Sequence, residues 1–307
     1  MEKILNFLPK KIADLISKIP PNLKEELEEI RIRINRPIEI TMRGKPRFLS
    51  YIIQPEDAIH LMNKISHFSI YTLEEELKQG FITVSGGHRI GLAGKVILEG
   101  GKVKAIRDIS SFNIRIAREK VGIAEPLIPY IYQGRWMHTM VIGPPQTGKT
   151  TLLRDIARIA SSGFGVSGIE SSKVGIVDER SEIAGCVHGI PQLTFGDRLD
   201  VLDACPKAEG MMMMIRSMSP DILVVDEIGR KEDSEAIQEA VHAGITLMMT
   251  THGTSIEEVK NRPSLRYILE QRIFQRFIVL DRSLGPGTIT RILDVNGNEM
   301  NQKVRVT

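Results

Sequence analysis

The chain has 307 residues, 42% of them hydrophobic and 26% charged, with 41 Lys and Arg against 38 Asp and Glu. That length favours two domains, each able to bury its own core, and the composition is that of an ordinary globular protein, not a disordered or fibrous one. Two cysteines, Cys186 and Cys205, exclude a disulfide framework and a four-thiolate zinc site, and they point to a reducing, cytosolic setting.

No apolar run approaches the roughly 20 residues of a membrane-spanning helix, and the first residues lack a signal-peptide core. Residues 1–118 carry 20 Lys and Arg against 14 Asp and Glu; residues 119–307 carry 21 against 24. Neither half has the dense basic footprint of a nucleic-acid binder. Aromatic content of 5% also leaves few platforms for stacking bases.

From the N-terminus, residues 3–18 and 22–29 have helical spacing. Ile30-Arg31-Ile32-Arg33-Ile34 and Ile38-Glu39-Ile40-Thr41-Met42 alternate strictly and read as half-buried strands. A turn at 43–46 follows, then helices over 55–66 and 72–79 and a strand over 81–84. Residues 89–98 and 102–107 flank Glu99-Gly100-Gly101 and read as a hairpin. Residues 112–118 alternate again. The pattern is that of a small α+β domain over 1–118. Glycines and prolines interrupt residues 119–135, which read as a linker. From 136 to 307, strands (138–142, 174–178, 222–226, 246–251, 275–281, 289–295) alternate with helices (149–160, 203–218, 231–243, 255–271, broken near Pro263). That alternation implies a largely parallel α/β sheet. Met211-Met212-Met213-Met214 reads as part of a packed helix, and Trp136 as packing between domains.

Gly143-Pro144-Pro145-Gln146-Thr147-Gly148-Lys149-Thr150 fits G-x-x-x-x-G-K-[ST], the phosphate-binding loop of nucleotide hydrolases. The glycines let backbone N–H groups wrap a triphosphate. Lys149 reaches the β- and γ-phosphates and Thr150 offers its hydroxyl to Mg²⁺. The helix opening at Thr150-Thr151 turns its positive end toward them. The absence of an NKxD-type guanine-reading motif favours ATP over GTP.

Such a loop needs an acid for Mg²⁺ and a group that positions water. After the buried strand Ile222–Val225, Asp226 is the metal carboxylate and Glu227 the preferred water activator, at the strand's carboxyl end where ligands gather. A second acidic strand end, Asp178-Glu179-Arg180-Ser181-Glu182, leaves Glu179 and Glu182 open as alternatives. Thr250-Thr251-His252 ends the next strand and suits a sensor of water or γ-phosphate, with His252 able to signal a charge change.

The order of these motifs resembles that of the secretion-superfamily ATPases of type II and type IV secretion and of pilus machines. There a phosphate loop, an acidic box, an Asp-Glu strand end and a histidine box follow one another. Glu29-Ile30-Arg31-Ile32-Arg33, Gly86-Gly87-His88-Arg89-Ile90-Gly91 and the stretch 108–118 narrow the resemblance to the stage III sporulation AA family of endospore-forming bacteria. The resemblance covers nearly the whole chain. It implies a RecA-like P-loop ATPase domain behind a smaller N-terminal α+β domain. It also implies a homohexameric, cytoplasmic ATPase at the mother-cell membrane, working with membrane proteins of the stage III sporulation complex on a channel to the forespore.

Three departures stand out. The acidic box runs Asp-Glu-x-x-Glu instead of Glu-Asp-x-x-Glu. Arg230 lies three residues after Glu227, where the motors place an arginine two on. The four-cysteine zinc element of type II motors is absent, so no zinc is expected. In a ring, an arginine from the N-terminal domain or a neighbour stabilises γ-phosphate charge; Arg89, Arg107, Arg115, Arg118 and Arg230 are the candidates. Competing readings are a RecA-like nucleic-acid translocase and a non-hydrolysing, ATP-ordered scaffold.

Overall fold

A computed structural model describes residues 1–66 and 74–300. The chain forms two compact units. One is Met1–Arg118 with Gly185–Val187; the other is Glu119–Ala184 with His188–Thr307.

The first unit begins with α1 (Glu2–Phe7), α2 (Lys10–Ser17) and α3 (Pro21–Lys24), followed by β1 (Leu27–Arg33), β2 (Pro37–Met42) and β3 (Lys45–Ile52). Then come α4 (Pro55–Ile65), α5 (Glu74–Gln79), β4 (Phe81–Val84), β5 (His88–Glu99) and β6 (Lys102–Arg115). Among the described residues the strands form one antiparallel sheet in the order β3-β2-β1-β6-β5-β4. Ile30 and Ile32 of β1, Ile38 and Ile40 of β2, Ile90 of β5 and Ile114 of β6 point into a core shared with Ile4, Ile12, Ile16 and Leu61 of the helices. Pro9 divides the expected helix over 3–18 into α1 and α2.

The expected helix over 22–29 is short, because the chain enters β1 at Leu27. Glutamates favour a helix locally, but β1 is hydrogen-bonded on both sides, to β2 and β6, and that pairing overrides propensity. Residues 72 and 73 of the expected helix 72–79 lie outside the described residues. The expected strands at 102–107 and 112–118 are one strand, β6, which pairs with β5 across a register shift between Ala93 and Lys95. β3 had no sequence signal: it is an edge strand, largely exposed, so nothing imposes period-two burial on it.

His88 is buried, and its Nδ1 accepts the Ala117 N–H at 3.0 Å. Burial first, then the positive N-terminus and Lys3, lowers its pKa from 6.5 to about 4. The folded state therefore binds fewer protons than the unfolded one between those values, and stability rises with pH across that window. Acidification from about pH 6.5 to 4 is expected to remove on the order of 3 kcal/mol beyond what carboxylates contribute. Urea unfolding of the full chain at several pH values should show this loss for wild type and a flatter profile for His88→Gln; identical profiles would refute it.

The second unit contains α6 (Ile128–Ile131), β7 (Thr139–Gly143), α7 (Lys149–Ser162), β8 (Val174–Asp178), β9 (Leu199–Asp203) and α8 (Lys207–Ser217). It continues with β10 (Ile222–Val225), α9 (Lys231–His242), β11 (Thr246–His252), α10 (Ile256–Lys260), α11 (Pro263–Glu270), β12 (Arg276–Asp281) and β13 (Thr288–Leu293). The sheet order among the described residues is β13-β12-β7-β11-β10-β8-β9. All neighbours run parallel except β12 and β13.

Both faces of this sheet are covered. Val141, Ile176, Val224 and Met248 pack with Leu152, Leu153 and Ile156 of α7 on one face. The alternating residues Met140, Ile142, Val177, Leu223, Val225 and Met249 pack with Met211, Met214, Ile237 and Leu265 on the other. Coverage on both faces is why β7, β8 and β10 read as continuous apolar runs. Within the methionine run, Met211 and Met214 are core and Met213 is exposed.

Residues 119–135, read as a linker, place Ala124, Leu127, Ile128 and Ile131 in the core of this unit, and Trp136 belongs to the same core. Buried Asp155 of α7 accepts the N–H groups of Gly122 and Ala124 at 3.1 and 2.8 Å. β9, another edge strand, gave no signal because its residues are only half-buried. No described helix is long and apolar enough to cross a membrane.

Candidate functional site

The interior strand β7, between β12 and β11, is buried along its whole length and delivers Gly143 to the carboxyl edge of the sheet. A Cβ on Gly143 would lie 2.5 Å from Thr147 Oγ1 and 3.2 Å from Leu280, so the turn accepts no side chain there. Gln146 and Gly148 have φ values of +61° and +88°, and Gly148 caps α7. The Thr147 hydroxyl donates to the Pro144 carbonyl at 2.8 Å and fixes the loop from within. Lys149 is buried, and its Nζ donates to the carbonyls of Gly143 and Pro144, each at 2.9 Å. Burial lowers its pKa, opposed by Asp226 and Glu227. Thr151 follows Thr150 in the first turn of α7.

Strand register sets the remaining geometry. His252 lies level with Gly143 and Val225 with Met249, so Asp226 falls beside Thr250. The Thr150 hydroxyl donates to Asp226 Oδ2 at 2.5 Å. A hydroxyl and a carboxylate here are hard oxygen donors, the type Mg²⁺ takes. Thr250 donates its hydroxyl to Asp226 Oδ1 and accepts the Glu227 N–H at 2.8 Å. Glu227 has φ +54°, a left-handed conformation that costs a non-glycine residue on the order of 1–2 kcal/mol. The turn is held by Thr250 and by Ile228, whose N–H reaches the Thr250 carbonyl at 2.9 Å.

The Thr-Thr-His expectation changes accordingly. Thr250 and Thr251 are fully buried and bonded inward, Thr251 to the Ile228 carbonyl at 2.9 Å. They shape the Asp226–Glu227 turn instead of facing solvent. His252 is the exposed member. Its Nδ1 lies 3.2 Å from Lys149 Nζ and its Nε2 3.0 Å from Glu227 Oε1. Because the ammonium is donor only, this pairing places the imidazole proton on Nε2.

In the acidic segment, Asp178 is buried and accepts the N–H groups of Glu182, Ile183 and Ala184, each at 2.9 Å. Burial pushes its pKa up to about 6, against the pull of those donors. It braces the loop. Arg154 of α7 ties the same loop down through the carbonyls of Ile183 and Glu182, each at 2.6 Å. Glu179 pairs with Lys207 and has Arg230 Nη1 at 4.0 Å. Arg180 Nη1 donates to Glu227 Oε2 at 3.1 Å.

These elements frame an open cleft of about 430 Å³ lined by Pro145, Gln146, Gly148, Lys149, Thr150, Thr151, Glu182, Glu227 and Pro286. Glu182 and Glu227 thus join the phosphate loop, while Glu179 lies in the neighbouring recess. The sequence reading missed the segment between β12 and β13. Gly287 N donates to the Thr147 carbonyl at 2.8 Å, Arg282 Nη1 to Gln146 Oε1 at 3.2 Å, and Pro286 lines the cleft. Its Gly-Pro-Gly run (285–287) was the available signal. Of the candidate arginines, Arg89 stacks 3.5 Å over the Phe81 ring, Arg115 lies 3.6 Å from Glu29, and Arg118 donates to the Leu27 carbonyl at 2.9 Å. Arg107 lines a groove of the first unit. Arg230 precedes α9, where Asp233 accepts its N–H and that of Gly229, each at 2.9 Å.

Comparison with known proteins agrees with the fold. The pilus retraction motor PilT, solved with bound ADP, superposes with a TM-score of 0.58 at 16% identity, over 84% of this chain and 75% of that one. The ATPase DotB of Legionella pneumophila gives a TM-score of 0.55 at 16% identity, over 88% and 75%. At that identity the likeness is one of fold. In sequence, the stage III sporulation protein AA of Bacillus subtilis (strain 168) is 56% identical over 306 residues, 100% of this chain and 99% of that protein. The pattern of the family described as "Sporulation stage III, protein AA" matches residues 1–300. A two-unit α/β chain with a G-x-x-x-x-G-K-T loop after an interior strand of its parallel sheet, this protein belongs to the sporulation stage III protein AA family.

Proposed function

We propose that the second unit binds ATP with Mg²⁺ and hydrolyses it, and that the chain acts as a homohexameric motor for a membrane complex during endospore formation. One observation carries the reading: Lys149, Thr150 and Glu227 line a single cleft at the carboxyl edge of a parallel sheet, where Thr150 is hydrogen-bonded to Asp226. Gly143 to Thr151 cradle the phosphates. Thr150 and Asp226 would hold the metal, which would neutralise phosphate charge. Glu227 takes a proton from the attacking water as the bond from the γ-phosphorus to its bridging oxygen breaks and ADP leaves. Glu182 is the nearest alternative base. His252 links Lys149 to Glu227 and reports phosphate occupancy to the base. In this reading the chain works in the cytoplasm against membrane proteins of the stage III complex, a setting supported by its likeness to the stage III sporulation protein AA, and its two domains meet in sequence near residues 118–119.

The test is ATP turnover per subunit against protein concentration. A steep rise supports sites shared in a ring. ATP binding without turnover, with the membrane partner present, would favour a scaffold instead. Within this reading Thr250→Val removes the hydroxyl that positions both Asp226 and Glu227 and leaves the Glu227 N–H unpaired. Turnover should fall roughly tenfold to a hundredfold, the equivalent of a buried donor left without its acceptor. The demand for Mg²⁺ should rise, and Thr250→Ser should restore both. Equal loss in the Ser and Val variants would show that packing, not the hydroxyl, matters.

A further inference from the structure

We propose that Arg180 is a phosphate-contacting residue supplied in cis, leaving Glu227 for the γ-phosphate of ATP. The inference rests on the reading of the cleft as an ATP site. Arg180 was not among the arginines the sequence suggested, yet its guanidinium is hydrogen-bonded to Glu227, a carboxylate that lines the phosphate cleft. Its guanidinium and the carboxylates of Glu182, Asp226 and Glu227 border a recess of about 10 Å³.

The root of Arg180 is fixed and its tip is not. Asp178, two residues before, is clamped by three backbone N–H groups. Ser181, one residue after, is held at φ +52° by its hydroxyl bond to Asp203 at 2.6 Å. The Arg180 side chain is nonetheless 58% exposed, so it can swing without disturbing the backbone. Its departure does not strand Glu227, because Oε1 keeps His252 Nε2 at 3.0 Å. A γ-phosphate carries more negative charge than one carboxylate and takes a guanidinium in a two-pronged fit. It therefore competes well for Arg180. The exchange couples two events: the phosphate gains a cation and Glu227 loses the ion pair that occupies its Oε2, freeing that oxygen for water.

The experiment compares affinities of the full-length chain for a non-hydrolysable ATP analogue and for ADP, both with Mg²⁺. If Arg180 touches the γ-phosphate, Arg180→Ala weakens analogue binding by about tenfold or more while ADP binding stays within about twofold. Arg180→Lys should recover part of the loss. The selective loss should also persist in a Glu227→Gln background, since a direct contact does not need that carboxylate. Equal losses for analogue and ADP, no loss for either, or disappearance of the effect with Glu227→Gln would each overturn the proposal. If wild type binds neither nucleotide, the ATP reading of the cleft fails first, and the proposal with it.

Discussion

Lys149→Ala is expected to lower ATP turnover by at least about a thousandfold and to weaken ATP binding by at least about a hundredfold. Lys149 sits in the first turn of α7 with its ammonium inside the loop, held by the Gly143 and Pro144 carbonyls. It is the cation closest to where the phosphates lie in a loop of this type. Each charge-assisted hydrogen bond it makes to a phosphate oxygen contributes on the order of 1.5–3 kcal/mol. A fixed charge that meets developing negative charge contributes several more to the transition state. Two measurements check this: nucleotide affinity by calorimetry, and steady-state turnover. The fold should survive, because the substitution removes a desolvated ammonium whose pKa burial already lowers. Turnover within about threefold of wild type, in a folded variant, would mean that the cleft is not a phosphate site.

Glu227→Gln is expected to lower turnover by roughly 10²–10⁴, the usual contribution of a general base, while ATP binding is retained. Glutamine has the same length and keeps the left-handed backbone at φ +54°, so the variant isolates charge and basicity. The comparison set is decisive. Glu182 lines the same cleft, whereas Glu179 faces Lys207 and Arg230 in the recess. Glu179→Gln should therefore cost less than about tenfold in rate, the effect of losing a partly exposed ion pair beside the site. A collapse of turnover in Glu182→Gln with little change in Glu227→Gln would move the base to Glu182.

Most residues that line the cleft were legible because they stand in contiguous stretches. Gly143–Thr150 are a single turn, and the apolar run Ile222–Val225 announces both a buried strand and the acids at its end. Less legible were groups whose role depends on a neighbour far along the chain. Arg180 looked like one more charge on a loop until β8 and β10 aligned Val177 with Val225. That register brings the Arg180 guanidinium to Glu227, 47 residues away. Thr250 and Thr251 read as sensors of water or γ-phosphate, polar residues at the end of an apolar strand. The turn at Asp226–Glu227 folds over them instead and uses their hydroxyls from below. The loop before β13 carried a glycine-rich signal, but nothing local says that it closes on Thr147 and Gln146.

The same division runs through the fold. By itself the sequence determined a largely parallel sheet, most of its strands and helices and the position of the glycine-rich loop after β7, because burial on both faces forces continuous apolar runs. It also determined most of the antiparallel strands of the first unit, through alternation at Ile30–Ile34 and Ile38–Met42. Only the tertiary structure decided the edge strands β3 and β9, the conversion of the expected helical Leu27–Glu29 into strand, and that Glu182 and Glu227, but not Glu179, line a cleft with Lys149. The reason is physical. Periodicity records which side of an element meets the core, so it is strong where burial is strong and silent at edges. A site's second layer is set by strand register and turn conformation, which bring distant residues together and leave no period in the chain.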